Sequence, residues 1–281
     1  MLRSMGLEIT RPALRYFGGK WRVAPWVISH FPDHTTYIEP FGGGASVLLR
    51  KTPAPFEVLN DADGDVVNFF KVLRERTSEL LRAIEYTPFS RREVYEAMAR
   101  TGEPMEDARR FYVRSWQTMH GAPYMGRNGW RFGRRGGSNN RAAVDDWIDT
   151  ARMPAIAKRL KTVQIENDDA LKVIKRFDGA GALFYCDPPY VWDVRKERWA
   201  GNAYKHEMTD EQHRALAEVL RGIEGMVIVS GYAGSLYEDL YKGWVKRSCT
   251  NYTARSTPKT EVLWVSPAAA SAHRQREFDV S

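Results

Sequence analysis

The sequence predicts an α/β fold built on a mostly parallel sheet, with a mainly helical domain inserted into it. Short apolar segments with strand character alternate with longer segments whose apolar residues recur at helical spacing. Residues 86–155 interrupt this alternation, because they combine helical stretches with a loop rich in glycine, arginine and aromatic residues. The chain has 281 residues, which is enough for one large α/β domain that carries such an insertion.

Each predicted strand is a short run of apolar, β-branched or aromatic residues bounded by turn-forming or polar residues. The predicted strands are residues 36–38, 56–59, 162–165, 182–186, 226–230 and 261–265. The predicted helices are residues 45–50, 65–84 and 209–221, together with residues 91–100 and 107–119 inside the insertion. The predicted units are therefore residues 1–85 with 156–266, the insertion 86–155, and a loose tail 267–281.

The composition favours a globular protein with a polyanionic partner. The net charge is +7, from 42 lysines and arginines against 35 acidic residues. With only two cysteines, Cys186 and Cys249, the chain suits a reducing, cytoplasmic setting better than a disulfide framework or a cysteine-rich metal site. No apolar run approaches the roughly 18 residues of a membrane span, and residues 1–10 lack the apolar core of a signal peptide. We therefore expect neither membrane association nor a bound metal.

The most informative segment is the tetrapeptide Asp187-Pro188-Pro189-Tyr190, which directly follows the predicted buried strand 182–186. In an open α/β sheet, ligands bind at this end of the strands. A carboxylate, together with a carbonyl held by Pro188, can accept both hydrogen bonds of an exocyclic amino group on a nucleobase. Tyr190 can stack on a base extruded from a duplex. The segment favours methylation of such an amino group, although two prolines also occur where a chain simply leaves a strand.

A glycine-rich turn, residues 39–44, lies between a predicted strand and an apolar segment. Glycines there let the backbone approach a ligand closely. The G-x-G-x-x-G and phosphate-loop spacings are absent, and Glu39 would repel a phosphate but attract a cation such as S-adenosylmethionine. Asp61 ends the next strand about 20 residues on, where a carboxylate can bind ribose hydroxyls. The alternative is a plain turn followed by an aspartate that caps a helix.

Two further segments are weaker indications of the same site. Tyr16-Phe17-Gly18-Gly19-Lys20 is a second glycine turn, whose lysine could meet a cofactor carboxylate or a DNA phosphate. It could equally be a surface turn. Asp168 and Asp169 follow the third predicted strand, where a carboxylate could hold an adenine amino group. A helix N-cap is an equally good explanation for one of these two aspartates.

Taken in order, these segments resemble the Dam-like family (D12 class, alpha group) of DNA adenine-N6 methyltransferases, particularly its phage-encoded members. The matching segments are LRYFGGK (14–20), YIEPFGGGASVLL (37–49), VLND (58–61), IENDD (165–169), FYCDPPY (184–190), YKHEMTDEQH (204–213) and TEVLWVS (260–266). The resemblance spans nearly the whole chain. It implies a Rossmann-like S-adenosylmethionine-dependent methyltransferase sheet whose insertion recognises the target DNA.

The resemblance also assigns residues to roles. The catalytic residues it implies are Asp187, Pro188, Pro189 and Tyr190. The cofactor-binding residues it implies are Tyr16, Gly18, Gly19, Lys20, Glu39, Pro40, Phe41, Gly42, Gly43, Gly44, Ser46, Asp61, Asp168, Asp169 and Asp187. Among these, Glu39 and the glycines would hold the methionine part, Asp61 the ribose, and Asp169 or Asp168 the adenine. Phe17 departs from the small residue that the family often has at this position.

The loop 121–141 is the predicted DNA-binding surface. It carries five arginines and no acidic residue, with aromatic and asparagine side chains between them. Arginine can bind phosphates or read guanine edges, and asparagine can read adenine. The predicted DNA-binding residues are Tyr124, Arg127, Asn128, Trp130, Arg131, Arg134 and Arg135. The alternative for this loop is a solvated basic surface.

The sequence therefore predicts an enzyme that methylates the N6 amino group of adenine in double-stranded DNA, acting as a monomer or weak dimer. Three alternatives use related features. Cytosine-N4 methylation needs the same amino-group chemistry, although Asp187 departs from the serine that family usually carries. Methylation of a protein glutamine amide fits less well with a large basic insertion. A DNA-binding protein that has lost catalysis would keep the fold without transferring a methyl group.

Overall fold

A computed structural model describes residues 9–119, 129–132, 143–190, 205–231, 233–252 and 258–279. Within these residues the strands form one seven-stranded sheet in the order β3-β2-β1-β4-β5-β7-β6. The strands are β1 (Thr36–Glu39), β2 (Phe56–Asn60), β3 (Val163–Glu166), β4 (Ala182–Cys186), β5 (Met226–Gly231), β6 (Val245–Tyr252) and β7 (Pro258–Val265). The first five strands are parallel, and β7 runs antiparallel to both of its neighbours.

Helices lie between these strands, which confirms the predicted α/β class. In the described residues they are α1 (Ala24–Ile28), α2 (Gly64–Glu75), α3 (Thr77–Glu85), α4 (Arg91–Glu96), α5 (Pro104–Gln117), α6 (Ala143–Ile148), α7 (Met153–Leu160), α8 (Ala170–Arg176), α9 (Asp210–Gly222), α10 (Ser235–Leu240) and α11 (Pro267–Asp279). None of them is long and apolar enough to cross a bilayer.

All six predicted strands are present, and their ends differ from the predicted ones by a few residues at most. Strands β4 and β5 are almost entirely apolar because they lie inside the sheet and are buried along their whole length. The strand that the sequence did not reveal is β6, the edge strand next to β7. It contains lysine, arginine, serine, threonine and asparagine, as edge strands often do, and so lacks an apolar run.

Two predicted helices are wrong in detail. The helix predicted over 65–84 breaks at Arg76, whose φ of −129° and ψ of 42° end α2 and begin α3. Residues 74–78 contain no apolar side chain that would hold one straight helix against the core. Residues 45–50 form hydrogen-bonded turns instead of a helix. Ala45 there has a φ of +52°, a left-handed backbone conformation, and it directly follows the glycine turn, in which Gly43 also has a positive φ.

Helix α11 replaces the loose tail predicted after Pro267. The Ser266 hydroxyl accepts a hydrogen bond from the Ala269 N–H at 3.3 Å and another from Val227 in β5 at 3.0 Å. Ala269 is fully buried, and His273 Nε2 lies 2.9 Å from the Ser29 carbonyl oxygen. A serine before a proline and three alanines is a helix-start signal, so the sequence contained the evidence for this helix.

The block predicted as an insertion, residues 86–155, shares one hydrophobic core with the sheet. Helix α5 packs against α2, where the Phe69 ring lies 6.0 Å from the Phe111 ring and 6.2 Å from the Tyr112 ring. A buried ion pair joins the same helices, with Arg114 Nη2 3.0 Å from Asp65 Oδ2. The division into a catalytic unit and a target-recognition insertion stays a prediction.

We expect Arg114→Met to lower the free energy of unfolding by about 3 kcal/mol, because it leaves the buried Asp65 carboxylate without its principal partner. The Arg100 guanidinium still reaches this carboxylate at 3.1 Å, which keeps the cost at the lower end of the range. Urea denaturation measures the change. The matched control is Arg92→Met, whose exposed pair with Glu96 should contribute little to the free energy of unfolding. Equal effects of the two substitutions would contradict the role of Arg114.

Candidate active site and cofactor cavity

A cavity of about 300 Å³ lies where β1, β2 and β4 end. This is the edge at which open parallel sheets bind ligands, and the volume is at the lower end of small-molecule pockets. Most of the predicted site residues line it: Tyr16, Gly18, Gly19, Lys20, Glu39, Phe41, Gly42, Gly43, Gly44, Ser46, Asp61, Asp169, Asp187 and Pro189. The predicted residues outside the lining are Pro40, Asp168, Pro188 and Tyr190.

The glycine turn after β1 is packed too tightly for side chains. A Cβ atom on Gly42 would lie 2.6 Å from Leu59 Cδ1 and 2.9 Å from the Asn60 carbonyl oxygen. The Gly42 N–H donates to that same oxygen at 2.7 Å. Gly43 has a φ of +46°, and a Cβ atom there would lie 2.9 Å from the Tyr16 ring. The turn therefore fits between β2 and Tyr16 only as bare backbone.

Asp61 holds this turn in place. Its Oδ2 accepts a hydrogen bond from the Gly43 N–H at 2.7 Å, and its Oδ1 accepts one from the Asp63 N–H at 2.8 Å. Burial raises the pKa of Asp61 to about 6, against the opposing effect of these two hydrogen bonds. The carboxylate thus shapes the cavity as well as facing it.

Asn60 is a residue whose role the sequence analysis missed. It is fully buried at the end of β2, and its Nδ2 donates to the Pro40 carbonyl at 2.9 Å and to the Asp168 carbonyl at 3.0 Å. Its Oδ1 accepts a hydrogen bond from the Asp168 N–H at 3.0 Å. One amide therefore joins the ends of β1, β2 and β3. The available signal was an amide within the VLND segment at the end of a buried strand.

Glu39 is an acidic side chain that lines the cavity at only 2% exposure. Its Oε1 accepts a hydrogen bond from Tyr37 Oη at 2.6 Å. Burial raises the pKa of Glu39 to about 8, although the hydrogen bonds from Tyr37 and from the Leu48 N–H act to lower it. Throughout the described ranges, no lysine or arginine nitrogen lies within 4.0 Å of this carboxyl group. A cationic ligand would supply the missing positive charge.

The Asp187 carboxylate, in contrast, has a cation beside it. Its Oδ1 lies 2.9 Å from the Nζ of the buried Lys20 and accepts a hydrogen bond from Tyr190 Oη at 2.9 Å. The same ammonium donates to the Gly18 carbonyl at 3.0 Å and lies 4.8 Å from the centre of the Tyr190 ring. Lys20 therefore joins the first glycine turn to the tetrapeptide after β4, a contact that the sequence did not predict.

The side chains of Asp168 and Asp169, which follow β3, have different surroundings. Asp169 lines the cavity, and its Oδ1 accepts hydrogen bonds from the N–H groups of Leu171 and Lys172, so it caps α8. The Asp168 carboxylate lies outside the cavity and pairs with Arg176 at 2.7 Å. The helix-cap explanation thus holds for Asp169, which is also the one of the two that lines the cavity.

The opposite wall of the cavity comes from the segment before α9. Lys205, His206, Glu207 and Met208 line it, and Lys205 Nζ lies 3.1 Å from Asp63 Oδ1. This ion pair links the two walls beside Asp61. The sequence analysis noted the segment as a family match but assigned none of these residues to the cofactor site.

Of the predicted DNA-binding residues, Trp130 and Arg131 are described, and both contact protein groups. The Trp130 ring lies 5.4 Å from the Phe89 ring, and the Arg91 guanidinium lies 5.3 Å from its centre. Arg131 Nη2 pairs with Asp146 Oδ2 at 2.6 Å. The other predicted residues lie outside the described part of the chain: Tyr124, Arg127, Asn128, Arg134 and Arg135.

Comparison with known proteins finds several relatives of the chain. The chain is similar to the DNA adenine methylase of Escherichia coli (strain K12), with 23% identity over 248 residues that cover 84% of this chain and 86% of that protein. It is 24% identical over 251 residues to the DNA adenine methylase of Vibrio cholerae, covering 83% of this chain and 85% of that protein. A 76-residue match to the DNA N-6-adenine-methyltransferase of Escherichia phage P1 has 33% identity and covers 26% of this chain and 10% of that protein.

The family comparison covers most of the chain and confirms the predicted resemblance. A model described as "D12 class N6 adenine-specific DNA methyltransferase" matches residues 16–255, which include the first glycine turn, β1 to β5 and the tetrapeptide. This match favours adenine over the cytosine alternative. The chain therefore belongs to the D12 class of N6 adenine-specific DNA methyltransferases.

Proposed function

We propose that the chain transfers a methyl group from S-adenosylmethionine to the N6 amino group of an adenine flipped out of double-stranded DNA. The observation that carries the proposal is one cavity lined by two carboxylates in different electrostatic settings. Glu39 lacks a cationic partner within 4.0 Å in the described residues, and Asp187 lies beside Lys20 at the cavity edge. The first suits a cationic cofactor, and the second suits an amino group.

The residues around the cavity fit S-adenosylmethionine, which supplies an electrophilic methyl group when bound. Glu39 would pair with the cationic methionine part, beside glycines 42–44, which line the same cavity. The Asp61 carboxylate accepts two backbone hydrogen bonds, and its remaining lone pairs would accept hydrogen bonds from the ribose hydroxyls. Asp169 would face the adenine ring of the cofactor.

Asp187 and the Pro188 carbonyl would accept the two hydrogen bonds of the target amino group. Such contacts favour a tetrahedral nitrogen whose lone pair can attack the methyl carbon, and no strong base is needed because the product nitrogen loses its proton after transfer. The entering amino group would compete with the Lys20 ammonium for Asp187 Oδ1. The Tyr190 ring would stack on the flipped base after Lys20 has moved from its position 4.8 Å away.

The protein would approach DNA through its basic insertion, in the cytoplasm where the chain is expected to work. The net charge of +7 supports a polyanionic partner. Because Arg131 is already paired with Asp146, its role is better explained as support for the loop. Recognition of base edges would then fall to Arg127, Arg134 or Arg135, with Asn128 and Tyr124 beside them.

The direct test is incubation of the purified protein with radiolabelled S-adenosylmethionine and duplex DNA, followed by identification of the modified base. We expect N6-methyladenine. N4-methylcytosine would overturn the choice of base, and DNA binding without any methyl transfer would indicate a protein that has lost catalysis.

We expect Asp187→Ala to lower kcat by roughly 100- to 1000-fold, as loss of one well-placed transition-state hydrogen bond does elsewhere. The Tm should fall to some extent, because the substitution leaves the buried Lys20 ammonium without its carboxylate partner, so kcat is measured well below the Tm of the variant. Asp239→Ala, at an exposed position on α10, is the matched control and should keep full activity. Turnover like wild type in Asp187→Ala would exclude Asp187 from the reaction.

We expect Asp61→Ala to weaken S-adenosylmethionine binding at least tenfold, because it removes both a ribose acceptor and the acceptor that fixes the Gly43 N–H. Affinity for non-specific DNA should stay unchanged. Isothermal titration with the cofactor measures the effect, and Asp33→Ala, in the exposed loop before β1, is the control. An unchanged cofactor affinity would remove Asp61 from the site.

We expect alanine substitutions of the arginines in loop 121–141 to have two different kinds of effect on DNA binding. A phosphate contact should weaken binding to every duplex and reduce the slope of log K against log salt by about one unit. A guanine contact should cost about 1–3 kcal/mol at the true site alone. We expect the second behaviour from Arg127, Arg134 or Arg135, and a loss of stability from Arg131→Ala. If no variant changes binding to cognate and scrambled duplexes, recognition lies elsewhere in the insertion.

A further inference from the structure

Three carboxyl groups near the first strands, the buried Glu39 and Glu57 and the partly exposed Asp187, differ in how their charge is balanced. Glu57 pairs with Lys51 at 2.7 Å and with Arg159 at 2.5 Å. Asp187 pairs with Lys20. Glu39 has no such partner in the described ranges, and its nearest charge-stabilising neighbour is the neutral hydroxyl of Tyr37. Glu39 and Asp187 both line the cavity, and of the two only Glu39 lacks a lysine or arginine partner in the described ranges.

Tyr37 is held firmly in its position next to Glu39. It is fully buried in β1, and its ring contacts those of Phe31 and His34, with centroids 5.6 Å and 5.7 Å away. The Lys51 ammonium lies 4.3 Å from the centre of the Tyr37 ring. The hydroxyl therefore has little freedom to turn away from Glu39.

We propose that Tyr37 is a positioning residue for Glu39, and that binding of a cationic ligand at Glu39 drives one proton out of this buried pair. The inference rests on the proposed use of Glu39 for the cofactor. In the empty cavity the Glu39 carboxyl group keeps its proton. When the ligand ammonium arrives, the carboxyl O–H bond breaks, the proton goes to solvent, and the carboxylate forms an ion pair with the ligand. The Tyr37 hydroxyl donates to that carboxylate throughout.

The groups that face Glu39 from each side support this sequence. Burial raises the pKa of Glu39 to about 8, Asp187 adds to the rise, and Lys51 opposes it. On β4, the Tyr185 hydroxyl forms a hydrogen bond with Ser230 Oγ at 2.7 Å and carries no charge. A positive ligand charge reverses this balance, because an opposite charge nearby favours the ionised carboxylate.

The sign of the pH dependence follows directly. Below about pH 8 the free protein holds a proton that the complex does not, so the affinity for the cofactor rises with pH by up to about tenfold per unit. Above this pH the carboxyl group is already ionised in the free protein. The affinity then becomes independent of the Glu39 proton.

The test is titration with S-adenosylhomocysteine, which keeps the amino group but cannot react. Calorimetry at about pH 7, in buffers of different ionisation enthalpy, measures the protons released on binding. We expect wild type to release about one proton more than Glu39→Gln, which retains only the titration of the ligand itself. Equal proton release would overturn the inference. An infrared band of a protonated carboxyl group, present in the free wild type and missing in Glu39→Gln, checks the empty state without any ligand.

Tyr37→Phe tests the positioning role, because it removes one hydroxyl and keeps the packing. We expect cofactor affinity at about pH 7 to fall roughly tenfold, and the pH at which affinity levels off to move upward. Tyr112→Phe, at a fully buried tyrosine in α5, should change neither quantity. An unchanged pH profile in Tyr37→Phe would refute its role. If wild type binds no S-adenosylhomocysteine or S-adenosylmethionine, the proposed cofactor fails instead, which is a different outcome from binding without proton release.

Discussion

The site depends on one buried amide that ties three parallel strands together. Asn60 bonds the chain after β1 through the Pro40 carbonyl and the chain after β3 through both backbone groups of Asp168. Parallel strands end at one edge of a sheet, but their following loops diverge unless something joins them. The amide makes these joins without exposing a polar group to the apolar interior. The position of every cavity wall that follows β1, β2 or β3 is therefore set relative to Asn60.

The acidic side chains of Asp187 and Glu39 lie at the same sheet edge but have different electrostatic surroundings. Asp187 is partly exposed, and its Oδ1 lies 2.9 Å from the Lys20 ammonium. Glu39 is almost fully buried beside a neutral hydroxyl, and burial raises its pKa to about 8. A carboxyl group at the cavity edge that already accepts hydrogen bonds suits the proposed contact with a neutral amino group, whereas a buried carboxyl group without a cationic partner suits the proposed contact with a cation. Environment, and not residue type, separates the two tasks.

The sequence predicted those features that follow from local chemistry. Short apolar segments marked six strands, and most of the residues of the glycine turn and the tetrapeptide do line the cavity. The sequence did not predict contacts between distant segments, such as Lys20 with Asp187 and Arg131 with Asp146, because the charge of a side chain does not reveal its partner. The polar edge strand β6 and the break at Arg76 were missed because sheet pairing and core packing there outweigh local propensity.

The segment that carries Tyr16 and Lys20 is hydrogen-bonded to helix α5 of the predicted recognition block as well as being close to the sheet. Helix α5 holds it through Trp116 Nε1, which donates to the Ala13 carbonyl at 3.0 Å, and through Ser115 Oγ, which donates to the Arg15 carbonyl at 2.7 Å. Arg15 in turn donates to the Thr118 carbonyl at the end of α5. These contacts fix the short segment that ends at the Lys20 ammonium beside Asp187. Helix α5 of the predicted recognition block and the carboxylate that follows β4 are therefore joined through residues 13–20.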